Sequence, residues 1–282
     1  MPGAGLRPGR VTWVGDTVRR PAGPWTSLVQ RVLRFLREQG MAVVPEPQGT
    51  DSSSREVLGF IEGRDQGWPF IPEILSDEGA QQLGGLAERL RTALWRYPCP
   101  ADARWQFAEG PPGPGQAVQH GDLGPWNLLW GSDRRIAGVL DWELTGPASP
   151  LYDTGHLAWF TVPLMDDARA RARGFPHPPD RLARLNAFAH GTRLSASEVL
   201  DAGLQAQQEH ARRIVSITVE PWTTFRQMGL HENAAADGEW TRTRFRDELG
   251  RRTSFLCRTR SPRSGGCAGS RSCRRSKQTS VI

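Results

Sequence analysis

Apolar residues recur along the chain with two alternating periods. In TSLVQRVLRFLREQG (26–40) they fall at Leu28, Val29, Val32, Leu33 and Leu36, one face of a helix, with Thr26 or Ser27 placed to cap it and Gly40 to end it. Before it, VTWVGDTVRRP predicts two short strands about a Gly15-Asp16 turn. After it, MAVVPEPQG and REVLGFIEG predict an extended pair joined by the polar turn TDSSS. Residues 11–63 therefore read as a small α/β unit. From Ser76 the period is helical again: SDEGAQQLGGLAERLRTALWRY has a capping Ser, acidic residues in its first turn, and Leu83, Leu86, Leu90 and Leu94 in line. CPADARWQFAEGPPGPGQ interrupts as a Pro/Gly loop. A second hairpin, WNLLWGSD and RRIAGVLDW, turns at Gly131-Ser132-Asp133, and beyond Pro150 helices are predicted over 150–160, 179–190, 195–228 and 238–249. No internal repeat is evident.

A chain of 282 residues can bury a sizeable core, as one large domain or two lobes. It has no run of eighteen apolar residues, so no membrane span is expected, and MPGAGLRPGR lacks the apolar stretch of a signal peptide, so the expected location is cytoplasmic. The net charge of +6 changes meaning once it is placed: the last 32 residues hold eight Arg, one Lys and no acid, and without them 27 basic residues face 30 acidic ones. This Ser-, Gly- and Arg-rich tail is too poor in apolar residues to fold alone and reads as a disordered end. A nucleic-acid arm ranks last, because no run of aromatic residues is interleaved with the charge. Cys99, Cys257, Cys267 and Cys273 fit no zinc spacing, and Lys277 is the only lysine, so no site in the body can use one.

The chemistry concentrates in QHGDLGPWNLLW (119–130) and the LDWE that follows at 140–143. Asp122 can accept or orient a hydroxyl proton. Asn127 offers an amide oxygen and Asp141 a carboxylate, the hard oxygen ligands that Mg2+ prefers beside substrate phosphate oxygens. A loop followed by a hairpin returns the chain so that the three groups can meet. The Asp-x4-Asn spacing, then a hairpin, then Asp, is that of kinase catalytic loops.

On these motifs the chain resembles the aminoglycoside phosphotransferase and choline kinase family over roughly residues 11–250, most strongly at 119–160. The resemblance implies an α+β, two-lobed protein-kinase-like fold with a shortened N-terminal β-rich lobe (11–63) and a mainly helical C-terminal catalytic lobe (64–250), flanked by a frayed N-terminus (1–10) and the basic tail (251–282). It implies phosphoryl transfer from ATP, with Mg2+, to a hydroxyl of a small molecule. Asp122 would be the catalytic base, Asn127 and Asp141 the metal ligands, and His120 and Asp153 supports of the catalytic loop; Glu143 is a weaker candidate for supporting the metal. FIEG resembles the hinge between lobes, where the backbone of Phe60, Ile61 and Glu62 would meet adenine. Gly121 stands where protein kinases carry Arg, and Asp153 follows Asp141 by only twelve positions, too few for an activation segment. Both features point away from a protein acceptor.

The chain departs from the family pattern in the nucleotide lobe. GAGLRPG (3–9) is a poor phosphate loop. The strand lysine is absent, and by strand alternation Arg20 is the cation expected to replace it. The helix that should carry its glutamate partner has Val29 and Gln30 there instead. These gaps motivate the alternative of a catalytically weak pseudokinase that binds nucleotide or regulates. His156 reads as a packed core histidine and the scattered Trp residues mostly as core. Residues 160–250 carry twelve acidic and twelve basic side chains with no acidic run, so a polycationic aminoglycoside is not indicated.

Overall fold

The computed structural model describes residues 11–246. The phosphate-loop candidate at 3–9, three of the four cysteines, Lys277, the basic tail and the end of the helix predicted to 249 lie outside them.

The sheet lobe opens with the predicted hairpin, β1 (Thr12–Val14) and β2 (Thr17–Pro21), and continues through α1 (Thr26–Glu38) to β3 (Pro47–Thr50) and β4 (Arg55–Gly59). The strands form one antiparallel sheet in the order β1-β2-β4-β3. Leu28, Val29, Val32, Leu33 and Leu36 are all buried, as their period requires. Two details differ from the sequence reading. Neither Thr26 nor Ser27 caps α1: Trp25 holds the cap position without a side-chain bond, and the Thr26 hydroxyl accepts from the Gly23 N–H instead. The strand predicted from Met41 begins only at Pro47, because Met41 and Val44 turn inward and join the core.

The helical lobe begins with a short α2 (Pro72–Leu75), which the apolar pattern is too brief to reveal, and α3 (Asp77–Leu94), whose Ser76 cap accepts from the Gly79 N–H. A small pair unseen in the sequence, β5 (Ala117–Gln119) with β8 (Gly146–Ala148), brackets the second hairpin, β6 (Leu128–Trp130) and β7 (Ile136–Val139). Then follow α4 (Tyr152–Thr161), α5 (Asp167–Ala172), α6 (Arg181–Gly191), α7 (Ala196–Ser216), α8 (Trp222–Gln227) and α9 (Leu230–Trp240). The single helix predicted over 195–228 is broken between Ser216 and Trp222, where Pro221 lacks the N–H a continuing helix needs. α9 starts eight residues before the predicted 238.

Two bonds of 2.8 Å between Arg64 and Trp130, and a third from the Val139 N–H to the Val43 carbonyl, lock the β6–β7 hairpin against the sheet lobe. One core cluster runs through both lobes, from Leu33 and Val44 to Leu90, Trp130 and Leu157. α4 crosses α7 at Gly155, where an added Cβ would lie 2.0 Å from the Ala202 carbonyl oxygen. Gly155→Ala is expected to force the two helices apart and to lower stability by about 1–3 kcal/mol. Chemical denaturation checks this: the midpoint falls and the slope stays constant.

Candidate active site

The catalytic segment is built locally. Gln119 ends β5, and the chain leaves the strand through His120 and Gly121 before the 3-10 turn Pro125–Asn127 leads into β6. Gly121 has φ +89°, and a Cβ there would sit 2.1 Å from the Leu144 carbonyl oxygen, so only glycine fits. Protein kinases carry Arg at this position; here the backbone has no room for one.

His120 and Asp153 hold this bend. The Asp153 carboxylate, at the start of α4, accepts from the His120 N–H at 2.6 Å and the Gly121 N–H at 3.0 Å. The Asp153 N–H in turn donates to Gln119 Oε1 at 3.3 Å. The His120 ring is fully buried; Nδ1 accepts from the Asp122 N–H and Nε2 lies 2.8 Å from the Leu140 carbonyl. Those two contacts require a neutral imidazole with its proton on Nε2, and burial correspondingly lowers the His120 pKa. Sequence reasoning placed both residues as supports, and the structure shows the bonds. It missed Gln119, and it missed that the core histidine His156 also meets the loop, through Nδ1 and the Leu123 carbonyl at 3.2 Å.

Asp122 is held from one side. Its Oδ2 accepts from Trp126 Nε1 at 3.1 Å and Asn127 Nδ2 at 3.0 Å, and no described residue engages Oδ1. Burial raises its pKa to about 7; the charges of Asp141 and Asp153 add to the rise, and the two hydrogen bonds oppose it. Asn127 also donates to the Asp122 main-chain carbonyl at 2.8 Å, so its amide nitrogen is committed and its oxygen is not. Asp141 lies past the hairpin in a left-handed conformation, φ 61° and ψ 61°, that Asp tolerates better than branched residues. The Leu140 N–H donates to the Asn127 carbonyl at 2.8 Å, which brings the two candidate metal ligands side by side.

Arg20 does reach this site. Nη1 donates to Asp141 Oδ1 at 2.8 Å and Nε to Glu56 Oε2 at 2.6 Å. Burial acts to lower its pKa, but Glu56 and Asp141 outweigh it and hold the guanidinium charged. Glu56, 2% exposed, is the partner that the helix lacks: it comes from β4, directly across from Arg20 in the β2–β4 register. Gln30 of α1, at the position where a glutamate was expected, donates to Glu56 Oε1 at 3.4 Å. The signal was present in REVLG, a carboxylate on a strand among apolar residues, but only the pairing of β4 with β2 gives it meaning.

The FIEG segment links β4 to the Arg64–Trp130 bridge. The Phe60 N–H is taken by the Asp16 carbonyl at 2.9 Å, whereas no hydrogen bond among the described residues engages the backbone of Ile61 or Glu62. No group of three or more His, Cys, Asp or Glu able to hold a metal occurs among the described residues. Two of the predicted donors lie side by side here: Asn127 Oδ1 and the Asp141 oxygen that the Arg20 bond does not use. Both are hard oxygen donors, and so small a set suits an ion that completes its shell with phosphate and water.

Residues 64–188 match the model of the phosphotransferase enzyme family. Over 193 residues the chain is 33% identical to the trifolitoxin immunity protein of Rhizobium leguminosarum bv. trifolii, a span covering 67% of this chain and 72% of that protein. Among solved structures it is similar to a choline/ethanolamine kinase family protein from Mesorhizobium loti, with 16% identity, TM-score 0.48, and 80% and 84% of the two chains covered. It is also similar to the amicoumacin kinase hAmiN in complex with AMP-PNP, Ca2+ and Ami, with 10% identity, TM-score 0.49, and 84% and 90% covered. The chain belongs to the phosphotransferase enzyme family. No helix among the described residues is long and apolar enough to cross a membrane.

Two histidines packed behind the catalytic loop bring a pH dependence of stability. His156 is fully buried and His210 lies beside it, ring centroids 5.2 Å apart. Burial lowers both pKa values, His210 to about 4 and His156 well below its ordinary value, and Arg213 adds to each. A histidine depressed in the folded state contributes stability above its unfolded pKa and loses it as pH falls. Stability is therefore expected to decline from about pH 6.5 downwards, on the order of 1–2 kcal/mol by pH 5 from His210 alone. Denaturant midpoints measured between pH 7.5 and 5 check this, and His210→Gln should flatten the curve.

Proposed function

We propose that the protein transfers the γ-phosphoryl group of ATP to a small-molecule hydroxyl in a Mg2+-dependent reaction, with Asp122 as catalytic base. The carrying observation is the one-sided fixation of Asp122, with Oδ2 tied to Trp126 and Asn127 and Oδ1 left for an incoming hydroxyl. Asp122 orients the acceptor hydroxyl and takes its proton. The hydroxyl oxygen forms a bond to the γ-phosphorus as the bond from that phosphorus to the β–γ bridging oxygen breaks, and ADP leaves with the electron pair. Asn127 and Asp141 would hold Mg2+. When bound, that ion neutralises charge developing on the phosphates. Arg20 supplies a fixed positive charge from the sheet lobe, held by Glu56. The Ile61–Glu62 backbone would meet the base, with the lobes dividing near residue 63; Phe60 would contribute its exposed ring, since its N–H is already used.

The Arg20–Glu56 pair supports an active enzyme over a pseudokinase, because it replaces both of the charged groups whose absence motivated that reading. The name of the immunity protein relative supports a toxin-like acceptor, with resistance as the biological outcome. Mg2+-dependent ADP release with a panel of hydroxylated metabolites and antimicrobials tests the reading; no release with any acceptor and no thermal shift with Mg-ATP would overturn it.

A further inference from the structure

A cavity of about 200 Å3 opens beside the catalytic loop, between the Pro/Gly loop after α3, the segment following Asp141, and the α7–α8 corner. Its walls include Trp105, Phe107, Thr145, Arg213, Ile217 and Trp222, and no acidic residue. It abuts the reaction centre through two contacts to the residue before Asp122: the Leu144 carbonyl faces Gly121, and Arg213 Nη1 approaches the Gly121 carbonyl at 3.4 Å. Phe107 and Trp222 meet edge to face, 6.1 Å between centroids. Arg213 is fixed against the Tyr152 ring at 4.1 Å and paired with Glu209 at 2.9 Å, so its charge is permanent.

We infer that this cavity is the acceptor pocket and that it takes an aryl or similarly flat apolar group with no positive charge. The inference rests on the phosphotransferase reading and specifies its substrate class. The volume is below the roughly 300–1,000 Å3 of pockets that enclose drug-sized ligands, so it holds one ring-sized end of an acceptor whose hydroxyl reaches Asp122. A polycation finds no carboxylate on the walls and a guanidinium facing it.

The test is a charge series on one ring: 4-(hydroxymethyl)benzoate, 4-(hydroxymethyl)benzamide and 4-(aminomethyl)benzyl alcohol, measured on the full chain by saturation-transfer NMR titration. The benzoate and benzamide are expected to bind at least about fivefold more tightly than the ammonium compound. Phe107→Ala, which removes a partly exposed ring from the wall, should weaken the benzamide by about threefold to tenfold. Equal or tighter binding of the ammonium compound, no binding of any of the three, or unchanged affinity in Phe107→Ala would overturn the inference. Mg-ATP thermal shift and ADP release on the same samples report the phosphotransferase reading separately: ring binding without nucleotide use would leave the pocket standing and remove the reaction, and the reverse result would do the opposite.

Discussion

Asp122→Asn is expected to lower turnover by about 10²- to 10⁴-fold, the range for loss of a positioned general base. The substitution keeps the shape of the side chain, and the amide can still present an oxygen to Trp126 and Asn127. What disappears is the capacity to accept the hydroxyl proton at Oδ1. The loop should not collapse, because its shape depends on other atoms: the Asp153 carboxylate on two backbone N–H groups, and His120 on Leu140 and Asp122. Nucleotide binding should therefore persist, so the Mg-ATP thermal shift is expected to match that of the wild type while ADP release falls. Turnover within threefold of wild type would exclude the proposed role.

The second large effect concerns Arg20 and Glu56. Arg20→Met is expected to lower kcat/KM for Mg-ATP by about 10²- to 10³-fold, comparable with removing one donor from a preorganised anion site. It should also destabilise the fold, since Glu56 is left buried without its counter-ion; breaking a buried pair typically costs about 3–5 kcal/mol. The double variant Arg20→Met/Glu56→Met separates the two effects. Removing both charges should recover much of the stability, because an apolar pair can pack where the ion pair was, but none of the activity. If the double variant regained activity, the Arg20 charge would have no part in nucleotide use and the pair would be structural only.

Some of the structure was legible in the sequence for a physical reason. The α1 and α3 faces follow from helical period. The 119–141 segment follows from local geometry: a loop, one turn and a two-stranded hairpin can bring Asp122, Asn127 and Asp141 together with little help from the rest of the chain. Even the side of β2 on which Arg20 lies could be read, because strand alternation is a short-range property. The helix break at Pro221 was missed: the apolar pattern continued past it, and the pattern carries no information on a lost N–H.

What remained hidden depended on contacts between distant segments. Glu56 becomes the partner of Arg20 only through the antiparallel register of β2 with β4, 36 residues apart in the chain. Gly121 is obligatory because of a carbonyl contributed by Leu144, beyond the hairpin. The cavity of Trp105, Thr145 and Trp222 joins three segments with no common motif, so its lack of acids could not be counted in advance. The chain's own spacing thus determined how Asp122, Asn127 and Asp141 come together; the tertiary structure decided which carboxylate pairs with Arg20 and which side chains wall the cavity beside them, because close packing of remote side chains is not encoded in any local period.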